Sequence, residues 1–169
     1  MASWTPPPDW PVAEPGLLMG AVDDVMFVHS DERLTEAGFQ RHLKSLAEAI
    51  DGRREGIMIG VVYDAATSLS ADAKRRQAAA RMLDERRAKL KRTTAAFALA
   101  TPSPLVRGAL HAVFWLAPPP YPWYVVANVH EALTALKKHM PTLDVDSVEA
   151  RWKALKAEHI RRYSADPLS

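Results

Sequence analysis

The sequence has no cysteine, which excludes disulfide bonds, thiolate metal sites and thiol chemistry. It also lacks an excess of one charge. The 22 Lys and Arg stand against 20 Asp and Glu, and the formal net charge of +2 gives no general attraction to nucleic acid. The longest apolar stretch, residues 109–120, contains His111 and ends in three prolines, so it is too short to span a bilayer. Because no secretory signal opens the chain, we expect a cytoplasmic protein without a membrane span.

The motifs of common catalytic and nucleotide-binding sites are missing as well. The chain contains no GxGxxG, GxxxxGK[ST], GxSxG or HExxH. Its histidines lack metal-ligand spacing; they are His29, His42, His111, His130, His139 and His159. We therefore expect no catalytic residue, no metal and no cofactor, and a protein that is not an enzyme.

What the sequence does contain is a regular alternation of strand-length apolar runs and helix-length amphipathic runs. The apolar runs are residues 26–28, 57–63, 95–100 and 123–129, and each precedes a helical pattern. The first belongs to a strand-like segment, 17–28, which can bend into two strands near Asp23 and Asp24. This alternation predicts an α/β fold with a small, mostly parallel sheet of four to five strands.

We expect three segments in one domain, because 169 residues are enough for a single core. Residues 1–16 form a proline-rich arm, residues 17–140 the α/β domain, and residues 141–169 a C-terminal amphipathic helix and tail. In that helix, a seam of apolar residues recurs at steps of three and four: Val145, Val148, Trp152, Leu155 and His159. The seam predicts packing either on the helix's own domain or against a second copy of the chain.

Two helices carry unusual side chains. Residues 105–116 are apolar almost all round, which predicts a buried helix, and Arg107 within it must reach solvent, a carboxylate such as Asp64, or an anionic ligand. Residues 70–92 predict one long helix with nine Lys or Arg. Those cations either form a solvated face or meet phosphate or acidic lipid headgroups.

Polar residues follow the predicted strands at the edge where open α/β sheets bind ligands. Asp64 ends the second core strand, and a polar loop and helix start follow it with Thr67, Ser68 and Ser70. The third core strand is followed by Thr101, Ser103 and Arg107. We expect this set to form a partner-binding or ligand-binding surface. Asp31 and Asp64 on neighbouring strand ends also raise the possibility of a weak Mg²⁺ site.

The order of elements resembles a STAS domain, and within that group the SpoIIAA-like subgroup, which is related to CRAL-TRIO lipid-transfer domains. The residues that carry the resemblance are the Leu34-Thr35 turn, the strand 60–64 and the polar loop 65–70. In anti-sigma-factor antagonists of this family, a phosphorylated Ser closely follows a strand-ending Asp. Here Ala65 and Ala66 follow Asp64, and Thr67 and Ser68 come later. The resemblance implies a protein partner or a small apolar or anionic ligand.

Three functions follow in order of preference. The first is a non-enzymatic, STAS-like regulatory module that docks a protein partner. The second is a carrier of a small apolar or anionic, lipid-like ligand, held in a pocket under helix 105–116. The third is a Mg²⁺-dependent phosphotransfer enzyme or a receiver-like domain using Asp31 and Asp64, although only one helix separates these two residues and a receiver would need an additional strand and helix there.

Overall fold

A computed structural model describes residues 3–65 and 73–164, and these form an α/β fold as the sequence predicts. Within them, one sheet contains six strands: β1 Val12–Glu14, β2 Leu17–Val22, β3 Val25–Ser30, β4 Ile59–Ala65, β5 Thr94–Ala100 and β6 Trp123–Val126. The helices are α1 Glu36–Asp51, α2 Ala73–Glu85, α3 Arg87–Thr93, α4 Pro104–Leu116, α5 Val129–Lys137 and α6 Val145–Ser164.

The strands lie in the sheet in the order of the chain, and the sheet is mixed. β1, β2 and β3 pair antiparallel, whereas β3, β4, β5 and β6 pair parallel. The prediction of a mostly parallel sheet with four to five strands is therefore wrong. The extra antiparallel pairs arise because segment 17–28 turns back on itself at Asp23, whose φ is 51°, and because part of the N-terminal arm adds β1 at the edge.

Both faces of the sheet are covered, which explains why its strands are apolar at nearly every position. On β3, Val25 and Phe27 face the core that α5 and α6 cover, whereas Met26 and Val28 face the core under α1 to α3. The α5 side is closely packed. A Cβ at Gly60 of β4 would come within 2.3 Å of Leu136 Cδ2 in α5, so a larger residue would require the Leu136 side chain to move.

Local sequence accounts for several helix boundaries. Thr35 caps α1, since its Oγ1 accepts a hydrogen bond from the Gly38 amide at 3.0 Å. Ser103 caps α4, and Pro104 occupies its first turn. The sequence predicts one basic helix over residues 70–92. Within the described residues this region forms two helices, because the helix is interrupted at Arg86, between α2 and α3.

The seam of α6 packs inside the chain. Trp152 is completely buried and stacks on Phe27, with ring centroids 4.6 Å apart, and Val148 is completely buried beside it. The sequence left open whether the seam packs on its own domain or against a second copy of the chain. Trp152 and Val148 pack on their own domain. The prediction of a homodimer through the C-terminal helix is untested and would have to use other residues.

Helix 105–116 differs from its prediction. The sequence indicates a buried helix, but α4 has no buried residue: Leu105 is 84% exposed, Trp115 80% and Leu116 76%. The prediction is wrong because α4 packs beside β6, the short edge strand, chiefly through contacts such as that of Phe114 with Trp123 at 5.1 Å. In the part of the chain that the structure describes, no helix is long and apolar enough to cross a membrane.

Candidate functional site

A cavity of about 770 Å³ opens between the sheet and the helices α1 to α4. This volume lies in the range of about 300 to 1,000 Å³ that small-ligand sites usually have. The floor comes from the strands and the walls from the helices, and most of the lining is apolar: Met26, Leu46, Ile50, Val61, Leu83, Leu90, Phe97, Leu99, Val113 and Phe114. A chamber of this composition favours a ligand that is largely hydrocarbon.

Arg53 is the exceptional residue in the cavity wall. It directly follows Gly52, the C-cap of α1, and only 4% of it is exposed. Its Nη1 donates to Thr94 Oγ1 at 3.0 Å, and its Nη2 has only the sulfur of Met26 at 3.8 Å. Its Nε has no hydrogen-bond partner within the described residues, and no described carboxylate forms an ion pair with it.

Burial has the expected electrostatic effect on Arg53. Removal from water lowers the pKa of its guanidinium to about 10, although the guanidinium still carries its charge at neutral pH. A buried cation without an acid is costly, and the hydrogen bond to Thr94 with the contact to the Met26 sulfur replaces only part of the hydration that Arg53 has lost. An anion that entered the cavity would supply the negative charge that the Arg53 guanidinium lacks.

Two tyrosines add polar atoms to the same cavity. Tyr63 points its hydroxyl at His42 Nε2, 3.2 Å away, and burial raises the pKa of this tyrosine. Burial also raises the pKa of Tyr121, against the opposing pull of Arg53 and Arg87. Both phenols therefore stay neutral at physiological pH.

The charged residues around the cavity are unequal in number. Three arginines line it, Arg53, Arg81 and Arg87, against the single described acid Asp84. No histidine or pair of carboxylates is present among the described lining residues. Such a lining can bind and orient an anion, but it offers no evident group for proton transfer.

The structure brings together three of the predicted site residues at the start of α4. Arg107 Nη1 donates to the carbonyl oxygens of Thr101 and Pro102, at 2.8 and 3.0 Å. Ser103 Oγ accepts from the Val106 amide at 3.3 Å. Arg107 therefore binds backbone carbonyls, and Asp64 is not its partner. These contacts give Thr101, Ser103 and Arg107 a structural role in holding the turn into α4.

Asp64 lies on the other face of the sheet, under α6. Its Oδ2 accepts from Lys156 Nζ at 2.7 Å and from Trp152 Nε1 at 3.1 Å, and its backbone oxygen lies 2.8 Å from His29 Nδ1. Lys156 was missed from the sequence, although it lies four residues after Trp152 and hence on the same side of the helix. The remaining predicted site residues, Thr67, Ser68 and Ser70, lie outside the described residues.

The proposed Mg²⁺ ligands each have a cation beside them already. Arg33 donates to both carboxylate oxygens of Asp31, at 3.1 and 2.6 Å, and these hydrogen bonds hold the pKa of Asp31 below its usual value. Asp64 is bound to Lys156. A Mg²⁺ ion would have to displace both cations, so this arrangement weakens the case for a metal-dependent enzyme.

A second group of possible metal ligands lies on the surface, where His130, Asp146 and Glu149 come within 4.8 Å of one another. Glu149 is already held by His130 at 2.7 Å and by Lys153 at 2.5 Å. Those hydrogen bonds lower the pKa of Glu149. Because its oxygens are engaged and its neighbours exposed, we treat this group as a surface ion-pair network.

Comparison with protein-family models, curated proteins and solved structures finds no match to this chain. The resemblance to STAS domains therefore stays a prediction.

Proposed function

We propose that this protein binds and carries an amphiphile with a carboxylate head, in the cavity between the sheet and α4. The observation that carries this proposal is Arg53, a buried guanidinium in an apolar wall with no acid partner among the described residues. A carboxylate fits it because the two groups can form parallel charge-assisted hydrogen bonds.

The rest of the ligand would be hydrocarbon. Phe97, Leu83 and Val113 belong to the apolar lining, and each CH₂ group moved from water into such a lining contributes about 0.8 kcal/mol. A small carboxylate without a hydrocarbon part would gain binding energy from Arg53 but little from the apolar lining. A hydrocarbon without a carboxylate would leave Arg53 unpaired. A molecule with both parts can pair with Arg53 and contact the apolar lining at the same time.

The ligand test compares two molecules that differ only in the head group, dodecanoate and dodecanol, by calorimetric titration at neutral pH. A charged hydrogen-bonded pair is worth about 1.5 to 3 kcal/mol. We therefore expect the parent protein to bind dodecanoate about 10- to 100-fold more tightly than dodecanol. Equal affinity for the two molecules, or no binding of either, would contradict the proposal.

The neighbouring arginine provides a matched control. Arg53→Met keeps an unbranched side chain but removes the charge, and it should abolish the preference for dodecanoate. The variant should still fold, because replacing a buried charge with an apolar group is often neutral or stabilising. Arg54→Met removes an exposed arginine one residue later and should keep the parent's preference. An equal effect of both substitutions would assign the preference to general charge.

The function that the sequence favours first, a STAS-like module that docks a protein partner, stays a prediction. Its candidate phosphorylation residues, Thr67 and Ser68, lie outside the described residues, and no contact of the described residues points to a particular protein. The carrier, the second choice from sequence, is the one that the geometry of the cavity supports.

A further inference from the structure

The outward face of α4 is apolar, which is the reverse of what a surface helix usually shows. Leu105, Trp115 and Leu116 are each more than three-quarters exposed, and Val113 is 55% exposed. A helix packed on a globular domain normally turns its polar residues to water. A group of large exposed apolar side chains of this kind marks an interaction surface.

The two polar side chains of α4, Arg107 and His111, place no charge on this outward face. Arg107 turns back onto the carbonyl oxygens of Thr101 and Pro102. His111 is exposed but lies against the ring of Trp123, with centroids 5.6 Å apart. The outward surface of the helix therefore carries no carboxylate and no free guanidinium.

The stretch of chain that contains α4 carries charge of one sign. No Asp or Glu occurs between Glu85 and Glu131, a stretch that contains α3, α4 and β6. The stretch contains six cations, Arg86, Arg87, Lys89, Lys91, Arg92 and Arg107. Of these, Arg87, Lys89, Lys91 and Arg107 form no ion pair with any described residue, although Lys89 donates to the backbone oxygen of Asp51.

One of these cations is tied directly to the end of α4. Arg87 Nη2 donates to the carbonyl oxygen of Pro118 at 3.5 Å, just past the last turn of the helix. Arg87 also lines the cavity, as do Val113 and Phe114 of α4. The apolar face, the nearest cation and the cavity therefore adjoin one another.

We propose that α4 docks flat on an anionic lipid surface, with Leu105, Trp115 and Leu116 among the acyl chains and the cations of α3 at the headgroups. This inference rests on the proposed function, since it names the surface from which the amphiphile enters the cavity. With the helix at the bilayer, a ligand can pass beneath α4 without crossing water.

Several features favour lipid over a protein partner or a second copy of the chain. The 13 residues of α4 extend about 20 Å, which is too short to span a bilayer but suits a helix lying in its interface. Trp115 is a residue type that anchors at that depth. The cations that form no ion pair with a described acid complement an anionic surface, whereas two copies facing each other through this region would repel.

The test is co-sedimentation with vesicles of phosphatidylcholine, alone or mixed with phosphatidylglycerol. The parent should sediment with the mixed vesicles about tenfold more strongly than with the neutral ones, and less as NaCl rises from about 0.1 M to about 0.5 M. The double variant Trp115→Ser, Leu116→Ser should lose about tenfold or more of this binding.

The control is a double variant at exposed apolar residues elsewhere, Met58→Ser with Ile160→Ser, which should sediment like the parent. Dodecanoate titration of the same samples separates the two proposals. A parent that binds dodecanoate but neither vesicle would overturn the docking surface alone. A parent that sediments with anionic vesicles but ignores dodecanoate would support docking and overturn the proposed function.

Two other outcomes would also overturn the docking surface. One is unchanged vesicle binding in the Trp115 and Leu116 variant. The other is a parent dimer that dissociates in that variant while neither protein binds vesicles, which would identify the face as a contact between copies. Sedimentation velocity without lipid measures the second.

Discussion

Among single residues, Arg53 and Arg54 show how position decides chemistry. They are adjacent and identical in type, yet Arg53 is buried in the cavity wall and Arg54 is exposed. Nothing in the local sequence distinguishes them, because burial depends on the path of the chain after α1, which places the Arg53 guanidinium beside Thr94 of β5. Arg53, on which the proposed function depends, is thus a residue that sequence reasoning could not find.

His42 gives a prediction about pH. It is buried between Met19 and Tyr63, and burial lowers the pKa of its ring from 6.5 to about 4. Below pH 6.5, His42 binds a proton in the unfolded chain but stays neutral in the folded protein. The free energy of unfolding therefore falls as the pH drops toward 4. His42 alone contributes up to about 3 kcal/mol to this loss. Burial also lowers the pKa of His29, which adds an effect of the same sign.

Urea denaturation at neutral pH and near pH 4.5 measures this loss of stability. The His42→Gln variant keeps a polar group for Tyr63 but cannot titrate, so it should lose markedly less stability between the two pH values than the parent. The same substitution at the exposed His111 serves as the control and should leave the loss unchanged. A His42→Gln variant that loses as much stability as the parent would assign the acid sensitivity to other groups.

The elements differ in how well the sequence predicts them. Strand β5, the Thr35 cap of α1 and the seam of α6 follow from apolar periodicity and capping chemistry, which are local. The exposure of the outward face of α4 cannot be predicted in this way, because an apolar helix has the same sequence pattern whether protein, ligand or lipid covers it. The prediction of a buried helix there assumed that the domain itself supplies the cover.

The tryptophans of α6 and α4 test this contrast. Trp152 is completely buried on Phe27, so Trp152→Ala leaves a cavity and should lower the free energy of unfolding by about 3 to 5 kcal/mol. Trp115 is 80% exposed, so Trp115→Ala should change it by no more than about 0.5 kcal/mol. Chemical denaturation of both variants beside the parent makes the comparison. Similar losses in the two would mean that α4 packs more closely than its exposure indicates.

On the scale of the whole molecule, the sheet separates a closed side from an open one. On the closed side, α5 and α6 bury Leu133, Leu136 and Trp152 completely. On the open side, the cavity of about 770 Å³ lies under α4, which buries no residue. The fold therefore joins a closely packed half to a half that contains a cavity, and the carrier function that we propose would need such a cavity for its cargo to enter and leave.

Amide hydrogen exchange measures this asymmetry. Without ligand, the amides of α4 should exchange much faster than those of α6, because few buried contacts oppose local opening of α4. Dodecanoate at about 100 times its dissociation constant stabilises the bound state by about 2.7 kcal/mol, and this gain should appear as slower exchange in α4. The helix α6, on the opposite face, should change least. In Arg53→Met, the same concentration of dodecanoate should slow α4 less. If α4 and α6 exchange alike without ligand, or if dodecanoate protects both faces equally, the two sides of the sheet do not differ in the way that the cavity requires.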